Sequence, residues 1–321
     1  MLFKNKYLQL LAAIPLLTTS AAHAAYPDKP IRLVIGSAAG SGPDIISRLL
    51  SDRLYRTWNQ RVVVDPRPGV AGILSAEIVN RSAADGYTWM MLTSQLFVAT
   101  MVFKDHKVNL AKDFASVSLI GRVPFVQLIH PQLPVKSVAE LIELAKKSNQ
   151  PLRYGSAGAG ATEHLSGVLF TSLTKTNMLH VPYKGIGQAI TDVAAREVHL
   201  TYAVMPAALP MVQAQRVRAL GVTSLKRAVQ LPDVPAIAET VPGYETYGWY
   251  SIVIPSGTPP DIIAKVSAEV QRAVKEPEFG EQLKNLGVEI SGSSRAELDK
   301  WRADQARTLA ELVKISGVDA K

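Results

Sequence analysis

Residues 31–55 read IRLVIGSAAGSGPDIISRLLSDRLY, and residues 152–173 read LRYGSAGAGATEHLSGVLFTSL. Each stretch is a short apolar run, then a loop of small residues, then a helical pattern. In the first, Ile31–Ile35 has the length and apolarity of a buried strand. Pro43 suits the first turn of a helix, where a missing N–H costs nothing, and Ile45, Ile46, Leu49, Leu50 and Leu54 then share one face to about Tyr55. In the second, Leu152–Gly155 is the strand, Ser156–Ala161 the loop, and Thr162 opens a helix to about Leu173. The same unit therefore occurs in both halves of one chain.

Strand and helix patterns alternate around these two units, which signals a largely parallel sheet with crossover helices. Strands are expected at Arg61–Asp65, Thr88–Thr93, Val126–Ile129, Met178–Val181, His199–Val204, Arg218–Val222 and Tyr250–Ile254. Helices are expected at about Ile73–Arg81, Gly187–Ala195, Pro206–Gln215 and Pro259–Lys275. Ser137 with Glu140, and Ser294 with Glu297, have capping-box spacing and open two more, the second ending near Ile315.

The chain has 321 residues, enough for two lobes of roughly 100–150 residues each. Hydrophobic residues are 47 % and charged residues 19 %, so a large core is available and disorder is not indicated. Residues 1–24 read as a secretory leader. Lys4 and Lys6 precede an apolar run from Leu8 to Leu17, and Ala22-His23-Ala24 offers a small-x-small cleavage site, so the exported chain is expected to begin at Ala25. The run is about half of the roughly 20 residues a spanning helix needs. A periplasmic location is expected. The absence of cysteine excludes thiol catalysis, iron–sulfur clusters and cysteine zinc sites. Net charge is +8, and removing Lys4 and Lys6 leaves +6; the basic residues are scattered, so nucleic-acid binding is not expected.

The two small-residue loops carry the chemistry. Ala38-Ala39-Gly40-Ser41-Gly42 and Ser156-Ala157-Gly158-Ala159-Gly160-Ala161-Thr162 each lie between a strand's carboxyl end and a helix's amino end. Unpaired N–H groups and the positive dipole end at such a place favour an anion, and ligands of open α/β sheets sit at this edge. Gly40 and Gly42 lack a third glycine at 45, no Gly-Lys-Ser/Thr follows either loop, and Tyr154 stands where a nucleophile elbow needs glycine. No histidine pair has metal spacing. His164, one turn into the second helix, is a candidate to face the ligand, as are Tyr183, Lys184 and Gly185 after a strand end. Trp249 precedes an expected crossing strand.

The mature start YPDKPIR at 26–32, AAGSGPDIISRLL at 38–50, VVVDPRPGVAG at 62–72, AADGYT at 83–88 and KDFASVSLIG at 112–121 together resemble the Bug receptors, the solute receptors of tripartite tricarboxylate transporters. So do YGSAGAGATEHLSG at 154–167, HVPYKGIGQAITD at 180–192, VRALGVTSLKR at 217–227 and LPDVPAIAE at 231–239. The resemblance covers essentially all of the mature chain, in order. It implies an α/β two-lobe periplasmic binding protein of the Venus-flytrap type, with lobe one at 25–123 plus 248–321 and lobe two at 124–247. Crossing segments near Arg122–Val126 and Trp249–Ile254 would form the hinge. In the family a ligand carboxylate is held between the lobes by backbone groups and ordered waters. Carried onto this chain, that implies Ala38 to Gly42, Ser94 and Ser156 to Thr162, with His164 and Tyr183 to Gly185 secondary. Asp44 matches the acidic residue after the Gly-rich turn and is read as shaping the loop.

Two departures from the family pattern matter. The first loop has Ser41 and Pro43 where relatives are richer in Gly and Thr. After the strand at 199–204, where many relatives place Asp with Asn or Ser, this chain has Ala203, Val204 and Met205. An acidic residue there could pair with a ligand amine; its absence leaves a more apolar cleft and points to a carboxylate without an amine, with Met205 among the lining residues. The expected role is a monomeric, non-enzymatic receptor without cofactor, taking a di- or tricarboxylate or an aromatic carboxylate to a large and a small membrane subunit. The rival roles are a periplasmic sensor subunit of a signalling system and an exported hydrolase; no nucleophile–base set supports the latter.

Overall fold

The structure, a computed structural model, describes residues 26–318. The leader expected at residues 1–24 lies outside the described residues. In chain order the elements are β1 (Ile31–Ile35), α1 (Gly42–Trp58), β2 (Val62–Pro66), α2 (Ile73–Asn80), β3 (Thr88–Thr93), α3 (Ser94–Val102), α4 (Leu110–Asp113), β4 (Phe114–Ile129), α5 (Val138–Lys147), β5 (Leu152–Ser156) and α6 (Thr162–Thr174). There follow β6 (Met178–Pro182), α7 (Ile186–Ala194), β7 (Leu200–Val204), α8 (Met205–Gln213), β8 (Arg218–Val222), β9 (Tyr247–Pro255), α9 (Pro260–Lys275), α10 (Pro277–Asn285), β10 (Glu289–Ile290) and α11 (Arg295–Ser316).

The strands run β2-β1-β3-β9-β4-β7-β5-β6, with β8 and β10 also pairing with β4. β1 is parallel to β2 and β3, and β5 is parallel to β6 and β7. The two parallel groups are joined through β9 and β4, each antiparallel to its neighbours. In the first half, alternate residues of β1 feed two cores. Ile31, Leu33 and Ile35 pack with Ile46, Leu50 and Leu54 of α1 and with Ile263, Val266 and Val270 of α9. Val34, on the other face, packs with α3 and with Leu298, Leu309 and Leu312 of α11. The second half has its own two cores, one around Phe125, Tyr202, Phe170 and Tyr244 and one around Val126, Ala203 and Val222.

β4 begins well before the strand expected at Val126. Its first part, Phe114 to Pro124, pairs with β9; from Phe125 onward it pairs with β7. Pro124 is the last residue opposite β9, facing Tyr247. A proline has no N–H for a ladder and reads as a strand breaker in sequence; here it marks where a continuous strand changes partners. α3, α4, α10 and β10 are additions to the expected elements. α3 is apolar nearly all round because it is buried between the sheet and α11, so it shows little helical periodicity.

The crossover is tied by one side chain. The Thr223 hydroxyl accepts from the Phe125 N–H at 2.8 Å and donates to the Thr246 carbonyl at 2.7 Å, so it joins both crossing segments. Thr223 is fully buried. Thr223→Val keeps the shape but leaves the Phe125 N–H without a partner, a cost of about 1–3 kcal/mol. Urea denaturation should show a lower midpoint for this variant; an unchanged midpoint would contradict the tie.

Candidate functional site

The carboxyl ends of the parallel strands and the amino ends of the helices after them surround one cavity of about 710 Å³. Its size falls within the usual range for small-ligand pockets. Five helix starts reach it: Gly42 and Pro43 of α1, Ser94 and Gln95 of α3, Thr162 and Glu163 of α6, Ile186 of α7, and Pro206 and Ala207 of α8. α3 is capped by Thr93, whose hydroxyl accepts from the Leu96 N–H. The other four have no side-chain cap bond. Their first-turn N–H groups, which have no intrahelical acceptor, keep their donor capacity. The Ser41 hydroxyl, at the cap position of α1, has no partner either.

The two loops picked out by sequence are built alike, position for position. Gly40 and Gly160 both have left-handed φ, +79° and +78°. The Ser41 N–H bonds the Ala38 carbonyl and the Ala161 N–H bonds the Gly158 carbonyl, each at 3.2 Å. Most telling is the glycine N–H. That of Gly40 donates to Asp44 at 2.9 Å, and that of Gly160 donates to the His164 ring at 3.1 Å. In each loop a side chain in the next helix's first turn holds the glycine. Asp44 is held in turn by Arg48, the first cause of its carboxyl lying below the ordinary range; burial opposes this.

Of the site residues expected from sequence, Ala38, Gly40, Ser41, Gly42, Ser94, Ala157 and Thr162 line the cavity. The others do not, for local reasons. Ala39 and Ala159 are exposed, and Gly158 turns back towards the Tyr183 carbonyl. The Ser156 hydroxyl is engaged by the Gly158 backbone and by His180. Gly160 faces Val102 of α3, from the other half; a Cβ built on it would stand 3.1 Å from that side chain. Ala161 is buried at the cap of α6. His164 is buried and stacked on His180, ring centroids 3.8 Å apart, with its Nδ1 used by Gly160. The Tyr183 hydroxyl donates to Asp192, Lys184 is exposed, and Gly185 caps α7, whose first residue Ile186 does line the cavity. Met205 is fully buried against Gly287; its neighbours Val204 and Pro206 face the cavity instead.

Among the lining residues that carried no expectation or only a weak one, three bring polar or aromatic side chains that bear on recognition. Trp249 and Tyr250 enter from β9, and Glu163 from the start of α6. The expectation of a ligand without an amine rests on the missing acidic residue after β7; Glu163 brings a carboxyl group to the cavity from α6 instead. Among the described residues its only side-chain hydrogen bond is the one it accepts from the Thr162 hydroxyl, at 3.5 Å. Burial raises its pKa, which its own backbone N–H and Thr162 only partly offset. Tyr250 is pushed up to about 12, first by burial and then by the nearby Glu163 carboxylate. Among the described residues no Lys, Arg or His lines the cavity. The signal that would have found Glu163 is its place at the helix tip, next to Thr162. Among the described residues no group of three or more acidic or histidine side chains could hold a metal, and no helix is long and apolar enough to cross a membrane.

Comparison with known proteins shows the family and the fold. Residues 46–318 match the model of the tripartite tricarboxylate transporter family receptor. The chain belongs to that family. Among the receptor's relatives is a protein from the tcbD–tcbE intergenic region of Pseudomonas sp. strain P51, 32 % identical and covering 92 % of both chains. Among solved structures, Rpa4515 of Rhodopseudomonas palustris with adipate has a TM-score of 0.81 at 32 % identity, covering 92 % of the receptor and 100 % of that chain. The periplasmic binding protein BugD gives 0.78 at 29 % identity, covering 92 % and 100 %. The receptor therefore has the two-lobe fold of periplasmic solute-binding proteins, and its structural neighbours are binding proteins.

The stacked histidines give the receptor an acid-sensitive joint under its second loop. Burial holds His164 down to about 3, with the neighbouring His180 as a second cause, and burial holds His180 down to about 4. Both lie below the ordinary 6.5 of an unfolded imidazole. Below pH 6.5 the unfolded chain therefore binds protons that the folded one refuses. The contribution of these rings to stability is complete above pH 6.5 and is lost as pH falls towards 4 and then 3. Thermal melting across this range should show a shallower loss for His180→Gln than for the parent. Equal slopes would count against the pair.

Proposed function

We propose that this chain is an exported, periplasmic receptor that closes two lobes on a small carboxylate and delivers it to the large and small membrane subunits of a tripartite transporter. Lobe one is 25–123 plus 248–321 and lobe two is 124–247, with the partner change of β4 at Pro124 and the start of β9 at Tyr247 as the support for these limits. The ligand-binding set is the lining part of the two loops, with Ser94, Glu163 and Tyr250. The carrying observation is the convergence of uncapped helix starts from both halves on one cavity that has no basic side chain. Backbone donors and helix dipoles are what such a site offers an anion. Adipate is bound by Rpa4515, and malate by MatC of Rhodopseudomonas palustris, which is 25 % identical with a TM-score of 0.76. The apolar lining, including Phe125, Ile186, Val204 and Trp249, suits an aliphatic or aromatic body.

Contacts between the halves frame the cavity: Val102 against Gly160, Met205 against Gly287, and the Gln230 amide on the Lys284 carbonyl. A ligand touching both halves favours this arrangement over an open one. The role is that of a carrier without turnover.

Gly160→Leu tests the closure. The residue would be strained at φ +78° and would press on Val102, holding the halves apart. Calorimetric titration with short-chain carboxylates should show affinity lower by about tenfold or more in the variant. Parent-like affinity would remove the second loop from the site, and conversion of any bound carboxylate to product would overturn the carrier role.

A further inference from the structure

Among the positions of the matching loops that face the cavity, one differs by an ionisable side chain: Pro43 in the first corresponds to Glu163 in the second. The consequences are electrostatic. A guest carboxylate at the start of α1 meets backbone donors, the unpartnered Ser41 hydroxyl and no negative side chain nearby on that loop except Asp44, whose charge Arg48 balances and whose Oδ2 takes the Gly40 N–H. A guest carboxylate at the start of α6 meets Glu163. Two carboxylates crowded into a desolvated space repel each other, and no basic side chain lines the cavity to relieve them. Glu163 belongs to no ion pair among the described residues and sits in the first turn of α6, where its charge complements the helix's own dipole. The first turn of α6 thus carries its own carboxyl group, whereas that of α1 offers only donors to the cavity. What the cavity lacks is a positive charge next to Glu163, and only the guest can bring one. Tyr250, beside Glu163 and within 3.1 Å of where a Cβ on Gly42 would stand, lies between the two tips and offers a further electron-rich face.

We infer that the preferred guest is zwitterionic, a carboxylate that also bears a cationic nitrogen, with the carboxylate at the start of α1 and the nitrogen on Glu163. This rests on the carboxylate reading above and deepens it, making Glu163 the residue that selects among carboxylates.

The test compares three series of probes matched in chain length from propionate to octanoate: plain monocarboxylates, the same chains with an added amine, and the corresponding dicarboxylates. Each is titrated calorimetrically at pH 8 into the parent, Glu163→Gln and Glu163→Ala, whose unliganded melting temperatures first confirm folding. In the parent, the best amine-bearing carboxylate should bind about tenfold or more tighter than its length-matched partners in the other two series. Both variants should lose that preference and gain affinity for dicarboxylates. If dicarboxylates or plain carboxylates bind the parent as tightly as the amine-bearing probes, or the variants keep the parent's preference, the inference fails while the carboxylate reading stands. If no probe of any series binds the parent at millimolar concentration, both fail.

Discussion

A helix that begins without a capping side chain leaves donors that something else must satisfy, and this protein places four such beginnings around one cavity. What keeps two of them usable is the pinning of the loop before each. A glycine in the left-handed region would be free to relax towards the helix and spend its own N–H there. Asp44 and His164 prevent this by taking the Gly40 and Gly160 N–H groups. The loop shapes are therefore set by the protein alone. A guest does not have to order them, and binding energy is not lost to that ordering.

The pinning groups are of opposite kinds, which ties the two halves to different conditions. Asp44 holds Gly40 as a carboxylate steadied by Arg48. His164 holds Gly160 as a neutral ring that must accept at Nδ1, and a proton there would abolish the bond. The burial that suppresses this protonation comes from the same stacking, His180 beneath and Tyr154 beyond, that fixes the ring's direction. Packing and acceptor role are one arrangement, so neither can be altered without the other. Beyond the loops, β4 runs unbroken through both halves and changes partners at Pro124, with Thr223 joining it to the segment entering β9. A continuous strand fixes the path of the chain through the crossing, and the partner change at Pro124 interrupts the ladder there. Closure can then occur at the crossing while each half keeps its own cores.

Much of the fold was legible because its signals are local. Strands such as Thr88–Thr93 and Arg218–Val222 stand where their apolar runs put them, and the Ser294–Glu297 box caps α11 reciprocally. Both loops were legible as the pair of places where small residues join strand to helix. What stayed hidden depends on neighbours distant in sequence. Pro124 reads as a breaker because only the full sheet shows that its missing N–H falls where partners change. His164 reads as a ligand contact from its position one turn into α6, but the ring that stacks on it comes from β6, and its acceptor nitrogen is turned to its own loop. Met205 reads as a wall of the cleft from its place after β7; its side chain is instead buried against Gly287, which approaches from the other half. Glu163 stays hidden between Thr162 and His164 because spacing alone does not say which residue in a helix's first turn looks inward.

The halves repeat a frame without repeating its chemistry, and this division has a physical logic. Backbone donors at a helix tip recognise charge and little else, since every helix presents the same groups. A site built from them alone would accept many anions of suitable length. Selection has to come from side chains that differ between the tips, and here those that differ are few. Pro43 offers no N–H and no charge, Glu163 offers a carboxyl group outside any ion pair among the described residues, and Tyr250 lies between them. Because Asp44 and His164 hold the loops from behind, the residues at 43 and 163 are not required for loop shape and can vary at small cost to the fold. The same scaffold can thus change what it carries by exchanging one residue at each tip while the grip on a carboxylate stays in the main chain.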